Sequence, residues 1–257
     1  MDRSALVALA VHLAEVARPI ILAHYRTALA VEAKGDASPV TIADRGAEAA
    51  MRTLLEAMVP DHGILGEEYG TVRADARYVW VLDPIDGTKA FITGKPLFGT
   101  LIACCEDGVP VVGVIDMPAL AERWVGADDR PATLNGSVVR TRACDSLAGA
   151  LLNATSPDMF KGEDATCFQR LAQAVRHPLY GADCYGYAMT AAGWNDLVVE
   201  ASLQPYDYCA PAAVLAAAGG VMTDWQGRPI TLASGPRVIA AGDPRLIAPV
   251  VATLGGA

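Results

Sequence analysis

The 257-residue chain has no surplus of positive charge: 20 Lys and Arg stand against 29 Asp and Glu, a net charge of −9. That balance argues against a nucleic-acid-binding surface, which needs clustered Lys and Arg. The six cysteines (Cys104, Cys105, Cys144, Cys167, Cys184 and Cys209) form no C-x-x-C pair and have no histidine at zinc-site spacing. Free, reduced thiols and a cytoplasmic location are the expectation. Charged residues make up only 19% of the chain and hydrophobic ones 53%, which excludes disorder and leaves a core-rich globular protein. A chain this long can bury roughly 70–75% of its unfolded surface. No apolar run reaches the length of a membrane span. Ala5–Val11 could pass for a short signal core, but Asp2 precedes it and His12 and Glu15 interrupt it. Leu6, Leu9, Leu13, Val16 and Ile20 keep helical spacing, so an amphipathic first helix is expected, with no membrane partner. Linkers, repeats and low-complexity tracts are missing too, which points to one domain spanning residues 1–257.

What the chain does have is concentrated between Trp80 and Gly99. Tyr78 to Leu82 is an unbroken β-branched, aromatic and aliphatic run, as a buried strand requires. It ends in two carboxylates, Asp83 and Asp86, with Pro84 between them and Gly87-Thr88 directly after. Proline fixes φ and removes a donor, so the chain must leave the sheet there. Asp, Pro and Gly are all turn formers, and this tetrad alone is more often turn chemistry than function. Two acids this close nevertheless repel unless a cation or proton sits between them. The corner therefore reads as a metal-binding, phosphate-receiving turn.

Around it the chain reads as alternating helices and strands. Residues from about Ser4 to Leu29 form a helix with a possible break at Pro19, and a polar Lys34–Val40 loop follows. Thr41 caps a second helix to about Met58, with Asp44 in its first turn. Gly63–Gly70 delivers the pair Glu67-Glu68 between glycines, and Thr100–Cys105 and Val109–Asp116 form a hairpin. In the second half, strands at 150–153, 196–200, 221–225 and 237–241 alternate with helices at 165–175, 183–193, 205–218 and 244–254. Hairpins and alternating helices in one chain predict a layered α/β architecture with mixed or antiparallel sheets.

Acidic residues thus stand at four element ends: Asp44, Glu67, the Asp83–Asp86 pair and Asp207. None of the four histidines lies in these segments, which favours a hard, oxygen-seeking Mg²⁺ or Mn²⁺ over Zn²⁺. Here the sequence resembles the inositol monophosphatase family of metal-dependent, lithium-sensitive phosphatases. The matching segments are S-P-V-T-x-A-D (38–44), G-E-E (66–68), W-V-L-D-P-I-D-G-T (80–88) and the stretch from Tyr206-Asp207 to Gly219-Gly220. The family often has Trp where Tyr206 stands, a departure that leaves the acid intact. The resemblance covers essentially the whole chain. It implies an αβαβα sugar-phosphatase fold, with a large mainly antiparallel sheet and a smaller mixed one. A metal- and phosphate-binding lobe would span about 1–145 and a substrate lobe 146–257.

The resemblance also implies two to three Mg²⁺ ions per site. Glu67, Asp83 and the carbonyl of Ile85 would hold one; Asp83, Asp86 and Asp207 would hold a second; a third would sit through Glu67 and water near Asp44. Thr88, assisted by Asp44, would deprotonate the attacking water, and the amides of Gly87 and Thr88 would receive the phosphate. A homodimer and inhibition by Li⁺ are further implications. An aspartyl-phosphate mechanism wants D-x-D, whereas two residues separate these acids, and the His-Cys loop of a cysteine phosphatase does not occur.

Within the family the chain looks most like the bacterial histidinol-phosphate phosphatases, through residues 83–103, 181–187, 196–207 and 240–246. Histidinol phosphate carries an ammonium and a protonatable imidazole. Asp183 and Glu200 could supply negative charge for it, and Tyr185 or Tyr187 a ring face. Two bland readings compete: Asp183 could cap its helix, and Glu200 has a counterpart that contacts the sugar in inositol-hydrolysing relatives. Lys89 and Lys95 steer phosphate or face water. Inositol monophosphate or a related sugar phosphate is the alternative substrate. A non-catalytic partner of the transcription machinery is a third, lower-ranked reading.

Overall fold

A computed structural model of the chain describes residues 1–27, 32–33, 39–40 and 42–255. The expected cap Thr41 and most of the Lys34–Val40 loop lie outside the described residues. The first helix, α1 (Arg3–His24), starts from a cap in which Asp2 accepts the Ala5 amide at 2.7 Å. It runs unbroken through Pro19. At 22 residues, with a mean hydropathy of 1.8 in its most apolar window, α1 is long and apolar enough by composition to cross a membrane. That corrects the expectation that no apolar stretch reaches the length of a membrane span. Here its apolar stripe is core: Leu6, Leu9, Leu13 and Ile21 are buried against the elements below, each contributing about 1.5–3 kcal/mol.

After the short pair β1 (Glu32–Ala33) and β2 (Pro39–Val40) comes α2 (Ile42–Met58), whose inward stripe is Ala43, Asp44, Ala47, Glu48, Met51 and Leu55. The first sheet is then built from β3 (Gly63–Gly66), β4 (Gly70–Val72) and β5 (Tyr78–Asp86). The five-residue α3 (Thr88–Ile92) follows, then β6 (Gly99–Glu106), β7 (Val109–Met117), β8 (Glu122–Ala127), β9 (Arg130–Leu134) and β10 (Ser137–Val138). These eight strands lie in the order β10-β9-β8-β7-β6-β5-β3-β4, antiparallel except for the β3–β5 pair. The second half contains β11 (Leu151–Ala154), α4 (Glu163–Ala174), β12 (His177–Tyr180), α5 (Cys184–Ala191) and β13 (Leu197–Glu200). It finishes with α6 (Pro205–Ala217), β14 (Val221–Asp224), β15 (Val238–Ala241) and α7 (Ile247–Gly255). The second sheet has five strands, β12-β11-β13-β15-β14, parallel through its first three and antiparallel thereafter.

The layers follow from what each helix covers. α1 and α2 pack on one face of the large sheet, α5 and α6 lie between the two sheets, and α4 and α7 cover the far side of the small one. This is the expected αβαβα stack. α6 lies close to β7 because Gly113 offers no side chain; a Cβ there would sit 2.3 Å from the Ala210 carbonyl oxygen. The close contact sets the start of α6, and with it Asp207, against the end of β5. The sequence reading missed the short β4, α3 and β12, which are too brief for periodicity to register.

Candidate active site

The acidic corner sits where β5 ends. Asp83 is buried, and Asp86 and Asp207 are half-buried. One carboxylate oxygen from each of these three lies within 4.8 Å of the others. They line a cavity of about 300 Å³ together with Glu67, Ile85, Gly87, Thr88, Lys89, Thr155 and Asp183. All five positions expected from the sequence to hold metal (Glu67, Asp83, Ile85, Asp86 and Asp207) therefore line one cavity, although Asp83 and Asp207 are far apart in the chain.

Each carboxylate is placed by a local device. Asp207 lies in the first turn of α6 and accepts the Gln204 amide at 2.7 Å, half of a capping box. Asp86 accepts the amide of Cys184 at 2.7 Å, so it caps the start of α5 from 98 residues away. Glu67 follows β3, and its amide reaches the Leu82 carbonyl at 3.2 Å. The next two residues of that turn hang on a carboxylate the sequence reading overlooked. Glu48, buried in the apolar stripe of α2, accepts the Glu68 and Tyr69 amides at 2.7 and 3.2 Å. Arg52, one turn on, balances its charge at 2.7 Å. Gly66 must lack a side chain here, because a Cβ would come within 2.0 Å of the Glu48 carboxylate. The available signal was an acid at a core-facing position with an arginine four residues later.

The electrostatics of the corner are those of acids without enough counter-charge. Burial first, and then Glu67, Asp86, Asp207 and Asp44, push the Asp83 carboxyl well above its usual range. Burial and then Asp183 and Asp207 do the same to Asp86. Asp207 is pushed up to about 7, chiefly by burial. One Asp83 oxygen, Oδ1, is buried with no hydrogen-bond partner. A buried polar atom in that state is costly unless something meets it. Three converging carboxylates and an orphaned oxygen fit a metal ion.

The other expected residues divide. Gly87, with φ of +80°, and Thr88 open α3 on the cavity wall, and the Thr88 hydroxyl donates to the Ile85 carbonyl at 3.1 Å. Asp44 is buried in the first turn of α2, where its charge acts on Asp83, but it does not line the cavity. Asp183 does line it and makes no capping bond to α5; Asp86 has taken that task. Its backbone sits at φ +45° and ψ −143°, a strained conformation for a non-glycine residue. Burial, with Glu200 adding to it, raises the Asp183 carboxyl to about 6. Glu200 is buried behind the wall, taking the Thr155 amide and the Tyr187 hydroxyl, each at 2.7 Å. Tyr185 points elsewhere, its hydroxyl on Glu122 at 3.1 Å and its ring edge-on to Trp124. The sequence reading also missed Thr155, because nothing in an isolated threonine marks it.

A family model described as the inositol monophosphatase family matches residues 2–254. The chain belongs to the inositol monophosphatase family. It is accordingly a phosphoric monoester hydrolase. Among curated proteins this family member is 46% identical over 252 residues to the bifunctional phosphatase IMPL2 of Arabidopsis thaliana, covering 95% of this chain and 72% of the relative. It is 34% identical to a histidinol-phosphatase of Chlorobaculum parvum, over 86% of each chain. Among solved structures, an inositol monophosphatase from Zymomonas mobilis superposes with a TM-score of 0.92 at 48% identity, covering 100% of both chains.

Proposed function

We propose that this phosphatase is divalent-cation-dependent and that its substrate is a small cationic phosphate ester, L-histidinol phosphate. The observation that carries the substrate reading is Asp183. It faces the cavity, it is released from capping, and it rests in a strained backbone. An ammonium or imidazolium beside it would favour its ionised form and relieve the repulsion from Glu200. Glu200 adds negative charge from behind the wall; both its oxygens are already occupied, so it acts through Thr155 and through the field.

In this reading Asp83, Asp86 and Asp207, with Glu67 and the Ile85 carbonyl beside them, hold the ions, and the all-oxygen donor set suits Mg²⁺ or Mn²⁺. Bound there, such ions supply charge stabilisation on the phosphate oxygens and lower the pKa of water. The amides at Gly87 and Thr88 orient the phosphoryl group. Thr88, with Asp44 close to the corner, orients the attacking water in line with the leaving oxygen. Lys89 at the rim adds positive charge where a phosphate dianion enters.

A second reading, hydrolysis of inositol monophosphate, is favoured by the likeness to the Zymomonas mobilis inositol monophosphatase. Purified protein with Mg²⁺ and the two esters at equal concentration separates them. Histidinol phosphate should turn over faster, and Asp183→Asn should raise its KM several-fold while leaving the inositol ester unchanged. Faster hydrolysis of inositol phosphate by the wild type would overturn the cationic-substrate reading.

A further inference from the structure

The two aspartates of the corner are three residues apart on a strand, where alternate side chains face opposite sides. On a regular β5, Asp83 and Asp86 would therefore point away from each other. They do not, because the ladder slips. Asp83 pairs with Leu101 but Asp86 pairs with Gly99, so three steps along β5 are matched by two along β6. The extra residue is a bulge, which re-aims the side chain after it. It brings both carboxylates to one face, where their oxygens meet that of Asp207.

A bulge needs something to hold it. Pro84 has no N–H, and its buried carbonyl has left the regular ladder. The donor that meets it is Thr100, whose Oγ1 lies 2.8 Å from the Pro84 oxygen. Thr100 is fully buried and stands between Gly99 and Leu101, the two residues that bracket the slip. Its neighbour on the next strand is Asp116, buried under Arg18 of α1 at 2.5 Å and Arg123 at 2.6 Å. The strand that carries Thr100 is thus braced from behind.

We propose that Thr100 is a positioning residue for the acidic corner: its hydroxyl pins the Pro84 carbonyl, fixes the bulge and holds Asp83 and Asp86 on one face. The inference rests on reading that corner as a divalent-cation site. Valine has the shape of threonine without the hydroxyl, and serine keeps the hydroxyl, so the two variants isolate the bond. Calorimetric titration of chelator-stripped protein with Mg²⁺ and Mn²⁺, beside thermal melts, is the measurement. Thr100→Val should bind the ions about tenfold more weakly, as loss of a residue supporting metal ligands does. Thr100→Ser should recover wild-type affinity to within about threefold. Thr100→Ala replaces the valine variant should that one not fold. A lower melting temperature with unchanged metal affinity in Thr100→Val would overturn the proposal and leave only a packing role. Failure of Thr100→Ser to recover affinity would overturn it as well. Absence of Mg²⁺ and Mn²⁺ binding by the wild type would instead overturn the cation-site reading, and the proposal with it.

Discussion

Two groups of carboxylates in this molecule are withdrawn from water and treated in opposite ways. Asp116 meets Arg18 and Arg123, Asp196 meets Arg142 through both oxygens, and Glu48 meets Arg52. Asp83, Asp86 and Asp207 meet one another, and among the described residues no guanidinium pairs with them. Where the chain supplies its own cation, the acid is architecture: Asp116 ties α1 to the large sheet, and Asp196 ties the Arg142 segment to the small one. Where it supplies none, the repulsion is left for an outside cation or for protons to relieve.

The contrast can be broken most sharply by removing one charge from each group. Asp83→Asn should lower turnover by about a thousandfold, in the range lost when a principal electrostatic contact to the reacting group is removed. It should at the same time raise the melting temperature of the metal-free protein, since it removes an unmatched charge. A variant that melts earlier without metal would show that Asp83 has a stabilising partner after all. Asp116→Asn should do the reverse, costing about 3 kcal/mol in urea unfolding, because it leaves two arginines short of their counter-ion.

The two groups should also respond oppositely to pH. The corner acids have folded pKa values above their unfolded ones, so the folded state holds protons the unfolded chain releases. Their contribution is most favourable below the ordinary Asp value of 3.8 and is lost as pH rises toward about 7, where Asp207 ionises. Melts of chelator-treated protein between pH 4 and 8 should show this decline, and Mg²⁺ should flatten it. Glu106, bonded to Arg3, Tyr78 and Arg77, is held down at about 2 from an ordinary 4.5. Its contribution is present above 4.5 and is lost as pH falls through about 2, which acid titration of Glu106→Gln beside the wild type would detect. The smallest effect belongs to pairs at the rim. Arg130→Ala, at a pair whose side chains are 35% and 45% exposed, should change unfolding free energy by less than about 1 kcal/mol.

How much of this was legible in the sequence depends on distance along the chain. The strand into Asp83 and the start of α6 could be read, because each is local; the exit from the sheet expected at Pro84 could not, since β5 continues through Pro84 to Asp86 and only bulges there. The bulge could not: the D-P-x-D spacing alone puts the acids on opposite faces, and only the pairing with β6 shows the extra residue. The fate of Asp183 was equally hidden. Whether it caps α5 depends on Asp86, and no window of sequence contains both. Glu48 was visible but passed over, since an acid on a helix is ordinarily taken for the wet side. Tyr185 was a reasonable candidate by composition, and the turn of α5 points it to Glu122 instead.

The bond from the Cys184 amide to Asp86 has a practical consequence for anyone redesigning selectivity. It mounts the helix bearing Asp183 on a carboxylate proposed to hold the ions, so substitutions at 183 larger than asparagine act one residue from that anchor and should disturb turnover along with preference. Thr155 also lines the cavity, and its amide is fastened to Glu200 and not to Asp86. A library aimed at accepting a bulkier or neutral ester should begin there.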